Sequence, residues 1–318
     1  MTSSRRNFAK GIGFVSPWII GFALFTIVPA GMSLYYSFCD YSIFQPPLFR
    51  GLENYRTLAH DPLFWKSLGN TMEYAAMALP VGLTLSLGVA LLLNSGIRGL
   101  GLYRTMVFLP SLVPLAASAM IWLWIFNGQY GLLNAILRPI LRGEAMRLIL
   151  HLLAFMHVVT SDFAANPNPP TWLASRSWAM AALVLMSLWG IGYTVVIFLA
   201  ALQDVPAELY EAAELDGAGA ARRIWHVTIP SISPVIFFNL IMGIIGTMQV
   251  FAIPFIVTQG GPEHSTYFLS MYTFDSAFNP PPRMGYASAL AWVQLLIVLV
   301  LTAIAFIGGR RLVHDRSR

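Results

Sequence analysis

Cysteine occurs once in this 318-residue chain, at Cys39. A lone thiol excludes an internal disulfide and any zinc site built on several thiolates. Lysine occurs only at Lys10 and Lys66. Neither stands in the Gly-Lys-Ser/Thr context of a phosphate-cradling loop, so that route to nucleotide hydrolysis is closed. Charge of either sign is also scarce, at 10% of residues against roughly 25% in an ordinary soluble domain. With 57% hydrophobic residues beside so few charges, the chain is excluded from the soluble globular class.

What the chain has instead is long apolar runs. Crossing a bilayer takes about 20 apolar residues, because the hydrocarbon core is about 30 Å thick and a helix rises about 1.5 Å per residue. Six stretches free of Asp, Glu, Lys and Arg exceed that length: Gly11 to Cys39, Tyr74 to Ile97, Thr105 to Leu137, Ser177 to Gln203, Ile224 to Pro262, and Met284 to Gly309. The next longest, Leu148 to Ser161, is too short to span and contains His151 and His157. Backbone groups in lipid must bond within their own segment, and runs of this length suit helices rather than barrel strands. The expected architecture is therefore all-α: a polytopic membrane protein with six transmembrane helices in one domain over residues 1–318. The first run, behind Arg5 and Arg6, is too long for the apolar region of a signal peptide and lacks a small-residue cleavage site, so it is read as an uncleaved span.

Basic residues set the expected orientation. With the N-terminus inside, the short inner segments hold Arg5, Arg6, Lys10, Arg98, Arg104, Arg222, Arg223, Arg310, Arg311, Arg316 and Arg318. The longer outer segments hold only Arg50, Arg56, Lys66, Arg138, Arg142, Arg147, Arg176 and Arg283. Both termini are expected in the cytoplasm, and residues 127–177 form an outer, periplasmic loop. Pro80, Pro110, Pro114 and Pro254 fall inside the runs and read as kinks. Of the acids only Glu73 lies near a span, towards its outer end. A secondary carrier or proton-driven pump normally places a charge at mid-bilayer or shows an inverted repeat; neither is evident, which sets a stand-alone carrier or channel behind other readings.

Between the fourth and fifth runs lies an inner loop, residues 204–230. Pro206 suits the first turn of a helix, and the acids from Glu208 onward favour the positive end of its dipole. Gly217 then interrupts, and Pro230 and Pro234 mark the passage into the next span. A helix-turn-helix outside the membrane is expected. A helix resting on anionic lipid would be basic on its polar face, whereas here Asp204, Glu208, Glu211, Glu214 and Asp216 precede Arg222 and Arg223. That order points to a protein partner with a basic socket, approached closely over Ala212, Ala213, Gly217 and Ala218.

Glu211-Ala212-Ala213, Asp216-Gly217-Ala218, Trp225 and Ile229-Pro230 together resemble the EAA loop of permease subunits in bacterial ABC importers. Val257-Thr258-Gln259-Gly260-Gly261-Pro262, followed by Thr266, Leu269, Tyr272, Ala277-Phe278 and Gly285-Tyr286-Ala287-Ser288-Ala289, resembles the outer loop and last span of the maltose and glycerol-phosphate type sugar permeases. Gly51-Leu52-Glu53-Asn54-Tyr55, Asn70-Thr71 and Phe108-Leu109-Pro110 match earlier landmarks of that family. Trp225 stands where phenylalanine is commoner, Ile229 replaces leucine, and the 127–177 loop is longer than usual, with the Leu148 to Val159 stretch and Asn166-Pro167-Asn168-Pro169-Pro170 inserted.

The resemblance implies a type I ABC importer permease fold in the bacterial inner membrane. It implies a non-catalytic subunit without metal or cofactor of its own, ATP and Mg being bound by a partner ATPase dimer. The other implied partners are a second homologous permease, an extracytoplasmic sugar-binding protein and membrane lipid, with no nucleic acid. Glu211, Ala212, Ala213, Asp216, Gly217, Ala218, Trp225 and Pro230 are the implied ATPase-coupling residues. Substrate contacts are implied near Ser187, Gly190 and Tyr193 on the fourth span and Gly243, Thr247, Gln249 and Val250 on the fifth. Positions 243, 247 and 250 share a face if the helix is continuous, although Gly243 and Thr247 also suit a small-xxx-small helix contact. The expected cargo is a sugar or oligosaccharide, with glycerol 3-phosphate or another polyol phosphate as the alternative.

Overall fold

The structure is a computed structural model that describes residues 3–95, 99–144, 146, 149 and 168–309, with side chains described from Gly11 onward. Among the described residues four helices are long and apolar enough to cross a membrane: Gly11–Ser37, Pro62–Leu93, Ser233–Val257 and Met284–Gly309. Two bent pairs complete six spans if each pair is one crossing: Leu100–Leu112 with Leu115–Ile125, bent by 97°, and Arg176–Gly190 with Gly192–Gln203, bent by 51°. In chain order these are the first to sixth spans below.

The six apolar runs and the six spans coincide, but their edges differ for physical reasons. The first span ends at Ser37, and Cys39 opens a small antiparallel hairpin of Cys39–Ser42 and Gln45–Phe49, the one sheet among the described residues. The second span starts a dozen residues before its run, because a helix tolerates Lys66 and Glu73 where a charge-free window does not. Its start is marked by Asp61-Pro62: the Leu63 N–H donates to Asp61 Oδ1 at 2.9 Å, and proline suits the first helical position because its missing N–H would be unpaired there anyway. The third run overshoots, passing the turn at Phe126 and entering the helix Leu132–Arg142. The fifth run starts early, because residues 224–231 belong to the preceding loop and the backbone breaks at Ile232 (φ −98°, ψ 7°).

The chain divides into two compact units. The smaller comprises Met1–Phe64 and Tyr272–Leu296. There the Asn54 amide donates to the carbonyls of Ser37 and Cys39, both at 2.9 Å, and the Tyr55 hydroxyl pairs with Ser37 Oγ at 2.8 Å. The Gly51-to-Tyr55 landmark is thus a clasp on the end of the first span. Asp61 Oδ2 accepts hydrogen bonds from both Tyr272 and Tyr286. Burial alone would raise the Asp61 pKa, but these two hydroxyls and the N–H groups of Leu63 and Phe64 outweigh it and hold the carboxyl below its usual range.

The larger unit comprises Trp65–Met271 and Ile297–Arg318. Its core includes Ala90, Leu93, Val195, Phe198, Leu199, Leu202, Val205 and Ile232, which draws the second span, the fourth span and the start of the fifth together. At the base of the 127–177 loop, Asn134 is 1% exposed. It donates to the carbonyls of Gly128 (3.0 Å) and Pro170 (3.3 Å) and accepts from the Trp172 indole at 2.7 Å. The two ends of the loop are therefore tied together, while the Leu148 to Val159 stretch apart from Ile149, together with Asn166 and Pro167, lies outside the described residues.

Candidate functional site

Two features of the larger unit bear on function. The first is a cleft of about 270 Å³ lined by the second span from Tyr74 to Ser86, the break in the fourth span from Ser187 to Thr194, and the fifth span from Asn239 to Thr247. Its polar groups are Tyr74, Ser86, Ser187, Thr194, Asn239 and Thr247, and no lining residue carries a charge. The break supplies the opening, since the α-helix ends at Ser187 and Leu188–Gly190 winds as a 3₁₀ turn before the helix resumes at Gly192. Neutral hydroxyl and amide groups beside aliphatic walls bind a neutral, hydroxyl-rich molecule well and a bare charge poorly.

Of the substrate-path residues expected from sequence, Ser187, Gly190, Gly243 and Thr247 line this cleft, whereas Tyr193, Gln249 and Val250 do not. Tyr193 turns aside to make an edge-to-face contact with Phe108 at 5.1 Å. The fifth span's first helix stops at Met248, and Phe251 (φ −143°, ψ −61°) breaks the chain before Ala252–Val257. Positions 243, 247 and 250 therefore do not share a helical face. Gly243 also serves packing, since a Cβ there would strike the Leu79 side chain. Tyr74, Ser86, Thr194 and Asn239 were missed. Their signal was available as isolated polar residues in otherwise apolar runs.

The second feature is the helix-turn-helix of the 204–230 loop. Ala207–Leu215 forms one helix, and Ala220–Arg223 continues through a π-helical segment, Ile224–Thr228, into Ile229–Ser231. Pro206 sits just before the first helix as its N-cap. Gly217 has φ +74°, a left-handed conformation that glycine adopts at no steric cost. Its N–H bonds Glu214 O at 3.0 Å, and Ala218 N–H bonds Ala213 O at 2.9 Å. These are the two bonds of a Schellman C-cap. The hairpin is closed by an Arg223–Glu214 ion pair at 2.9 Å and a Tyr210–Thr228 hydroxyl bond at 3.0 Å.

Glu211, Ala212, Asp216, Gly217 and Trp225 are exposed, and Ala213, Ala218 and Pro230 are half-buried. Trp225 is 68% exposed and Leu215, a residue missed at the sequence level, 90%. Two large apolar side chains on one short hairpin, flanked by acids and small residues, form a surface suited to a protein partner.

The Gly-Gly-Pro segment is built differently. Gln259, Glu263 and His264 all have positive φ (49°, 50° and 56°), a conformation that persists only where surroundings enforce it. Enforcement comes from the Asn70-Thr71 landmark. The Asn70 amide donates to the carbonyls of His264 and Tyr267, at 2.6 and 3.0 Å, and the Leu269 N–H donates to Thr71 Oγ1 at 3.0 Å. Thr266 adds bonds to Thr258 Oγ1 (2.7 Å) and Gly261 O (2.6 Å).

Spans that break around a neutral polar cleft, together with a hairpin outside those spans that bares aromatic, acidic and small residues, are the features of a membrane transport subunit. The chain belongs to the family of binding-protein-dependent transport system inner membrane components, whose model matches residues 78–317. It is 36% identical to the probable ABC transporter permease protein YesP of Bacillus subtilis over 99% of this chain and 95% of that one. It is 32% identical to the sulfoquinovosyl glycerol transport system permease protein SmoG of Agrobacterium fabrum, over 91% and 87%. Among solved structures, a bacterial ABC transporter involved in import of the acidic polysaccharide alginate superposes with TM-score 0.77 and 20% identity, covering 98% of both chains. That likeness establishes the shared fold.

Proposed function

We propose that this permease carries a neutral sugar or oligosaccharide inward and that separate ATPase subunits drive it through the 204–230 hairpin. The carrying observation for the cargo is the uncharged lining of the cleft at the fourth-span break. A polyol phosphate brings roughly −1.5 to −2 charges, and no cation among the lining residues compensates them. The lactose transport system permease protein LacF of Rhizobium radiobacter and the diacetylchitobiose uptake system permease protein NgcF of Streptomyces coelicolor, 32% and 33% identical over 93% and 91% of this chain, are named for uncharged disaccharides and support this class.

Coupling follows from the hairpin's exposed acids and apolar tips, which stand outside the spans and are stiffened by internal bonds. In this reading Glu211 and Asp216 meet basic groups of an ATPase cleft, Gly217 lets that surface approach without an intervening Cβ, and Ala212, Ala213, Ala218, Trp225 and Pro230 complete the contact. ATP and Mg reside on that partner, and this chain performs no bond chemistry. Both termini and the hairpin are cytoplasmic, as the basic residues direct, and the 127–177 loop receives the binding protein outside. A second permease accounts for the first span: its most apolar window is 0% buried against its own chain, so lipid or another subunit must cover it.

The test is uptake of labelled saccharides and of glycerol 3-phosphate in cells carrying the assembled transporter, alongside co-purification of the ATPase. The parent is expected to take up a saccharide. Gly217→Val and Glu211→Ala are expected to reach normal membrane levels, lose the ATPase on purification and abolish uptake. Uptake and co-purification at the parental level in both variants would overturn the coupling role, and preferential uptake of glycerol 3-phosphate would overturn the sugar assignment.

A further inference from the structure

Three span ends converge on one cavity of the larger unit. Leu93 closes the second span, Arg104 lies in the opening helix of the third, and Gln203 closes the fourth. Together with Val107, Val196 and Leu199 they line a space of about 240 Å³. Because it sits where three apolar runs stop, the cavity lies at the boundary between hydrocarbon and headgroups, whichever side of the membrane that is. Its floor belongs to the buried core, with Leu93 7% and Leu199 6% exposed, while Val196 on its lip is 46% exposed.

Arg104 is the only charged residue lining this cavity. Its Nε is buried without a hydrogen-bond partner, and among the described residues the only ion pairs are Arg176–Glu263 and Arg223–Glu214. A guanidinium cannot shed its charge and presents a planar fork that matches phosphate oxygens. Burying part of it beside aliphatic walls calls for an anion. A sugar answers the guanidinium weakly and the aliphatic wall not at all; an anionic phospholipid answers both, with a phosphate at the polar edge and an acyl chain along the valine and leucine wall.

We infer that this cavity binds an anionic phospholipid, with Arg104 and Gln203 on the phosphate and the Leu93, Val107, Val196 and Leu199 surface against an acyl chain. The inference needs the chain to sit in a membrane but does not depend on the cargo or on the coupling hairpin. It bears on both, since Gln203 is followed directly by the segment leading into Ala207–Leu215. Bound lipid would thus brace the second, third and fourth spans at the root of the hairpin.

The test uses the assembled transporter purified from its own membrane and washed in mild detergent, with retained lipid measured by native mass spectrometry. The parent is expected to retain phosphatidylglycerol in preference to phosphatidylcholine. Arg104→Gln is expected to lower retention about tenfold, because the bidentate phosphate contact is gone, with Arg104→Lys intermediate. Val196→Trp, on the exposed lip, is expected to lower retention with the charge intact. Millimolar inorganic phosphate separates the two sources of the anion. Equal retention in parent and Arg104→Gln would overturn the inference. So would full displacement of lipid by phosphate with Val196→Trp inert, which would mark a free-anion site, or crosslinking of Arg104 to a carboxylate of another subunit with no lipid retained.

Discussion

The 204–230 hairpin and the Gly-Gly-Pro segment are joined to the two ends of the same fifth span, yet they spend their interactions in opposite ways. The Gly-Gly-Pro segment turns inward on itself: Thr266, Phe268 and Leu269 are 0% exposed, and its unfavourable backbone angles are held by Asn70 and Thr71, nearly two hundred residues away in sequence. The hairpin closes on itself through its C-cap, the Arg223–Glu214 pair and the Tyr210–Thr228 bond, and leaves Leu215 and Trp225 in the open. A loop whose strain is enforced by distant groups is part of the fold. A loop that is locally complete but presents uncovered apolar tips is completed by another molecule.

Variants of the hairpin tips should separate the two most strongly. Trp225→Ala is expected to leave thermal unfolding of the purified chain within about 0.5 kcal/mol of the parent. The same change should weaken ATPase docking by about 2 kcal/mol or more, roughly thirtyfold, as for an aromatic anchor of an interface. Titration of the transporter with its ATPase measures this, and unaltered affinity would make Trp225 a bystander.

Asn70→Leu is the converse experiment. It strands two carbonyls, one of them in a buried contact, and should cost about 1 to 3 kcal/mol of stability. Faster proteolysis between Gln259 and Phe268, with hairpin docking unchanged, is the expected signature. Unaltered proteolysis and unfolding would show that the positive-φ residues are held by something other than Asn70.

A smaller effect is expected at Asp61. Its carboxyl titrates below the usual range in the folded chain, so its contribution is fully present above about pH 4 and is lost as pH falls through the lowered folded-state value. Asp61→Asn should flatten that acid limb of a stability-against-pH curve. A variant that retains the limb would place its origin elsewhere. The smallest effect belongs to Arg176→Ala. The Arg176–Glu263 pair at 3.2 Å is 67% and 71% exposed, and such pairs contribute under about 1 kcal/mol. A loss above that in a double-mutant cycle would show the Gly-Gly-Pro segment to be tied down more firmly than its hydrogen bonds alone imply.

Much was legible in the sequence because its cause is local. Charge-free runs mark spans because the bilayer taxes every unpaired charge, and an interruption at Gly217 marks a turn because no other residue takes positive φ so freely. Acids, small residues and an aromatic in register made the hairpin recognisable before any coordinates. The cleft was half legible: of the residues counted from the two family landmarks, Ser187, Gly190, Gly243 and Thr247 line it, while Tyr193, Gln249 and Val250 lie off it, the last beyond the halt of the fifth helix at Met248. Leu215 escaped notice because a leucine in an apolar chain carries no signal until its neighbours are known.

The sequence alone thus determined that this chain lives in a membrane, roughly where it crosses, and which loop is left acidic and exposed. Those properties follow from the transfer free energy of each segment taken by itself. Only the tertiary structure decided that the third and fourth spans bend, that the fifth halts at Met248, that Asn70 grips a carbonyl at His264, and that Leu93, Arg104 and Gln203 share one cavity. Each of these depends on which helix faces which. That choice is settled by close packing and by the pairing of polar groups across distant parts of the chain, and neither leaves a local mark in the order of the residues.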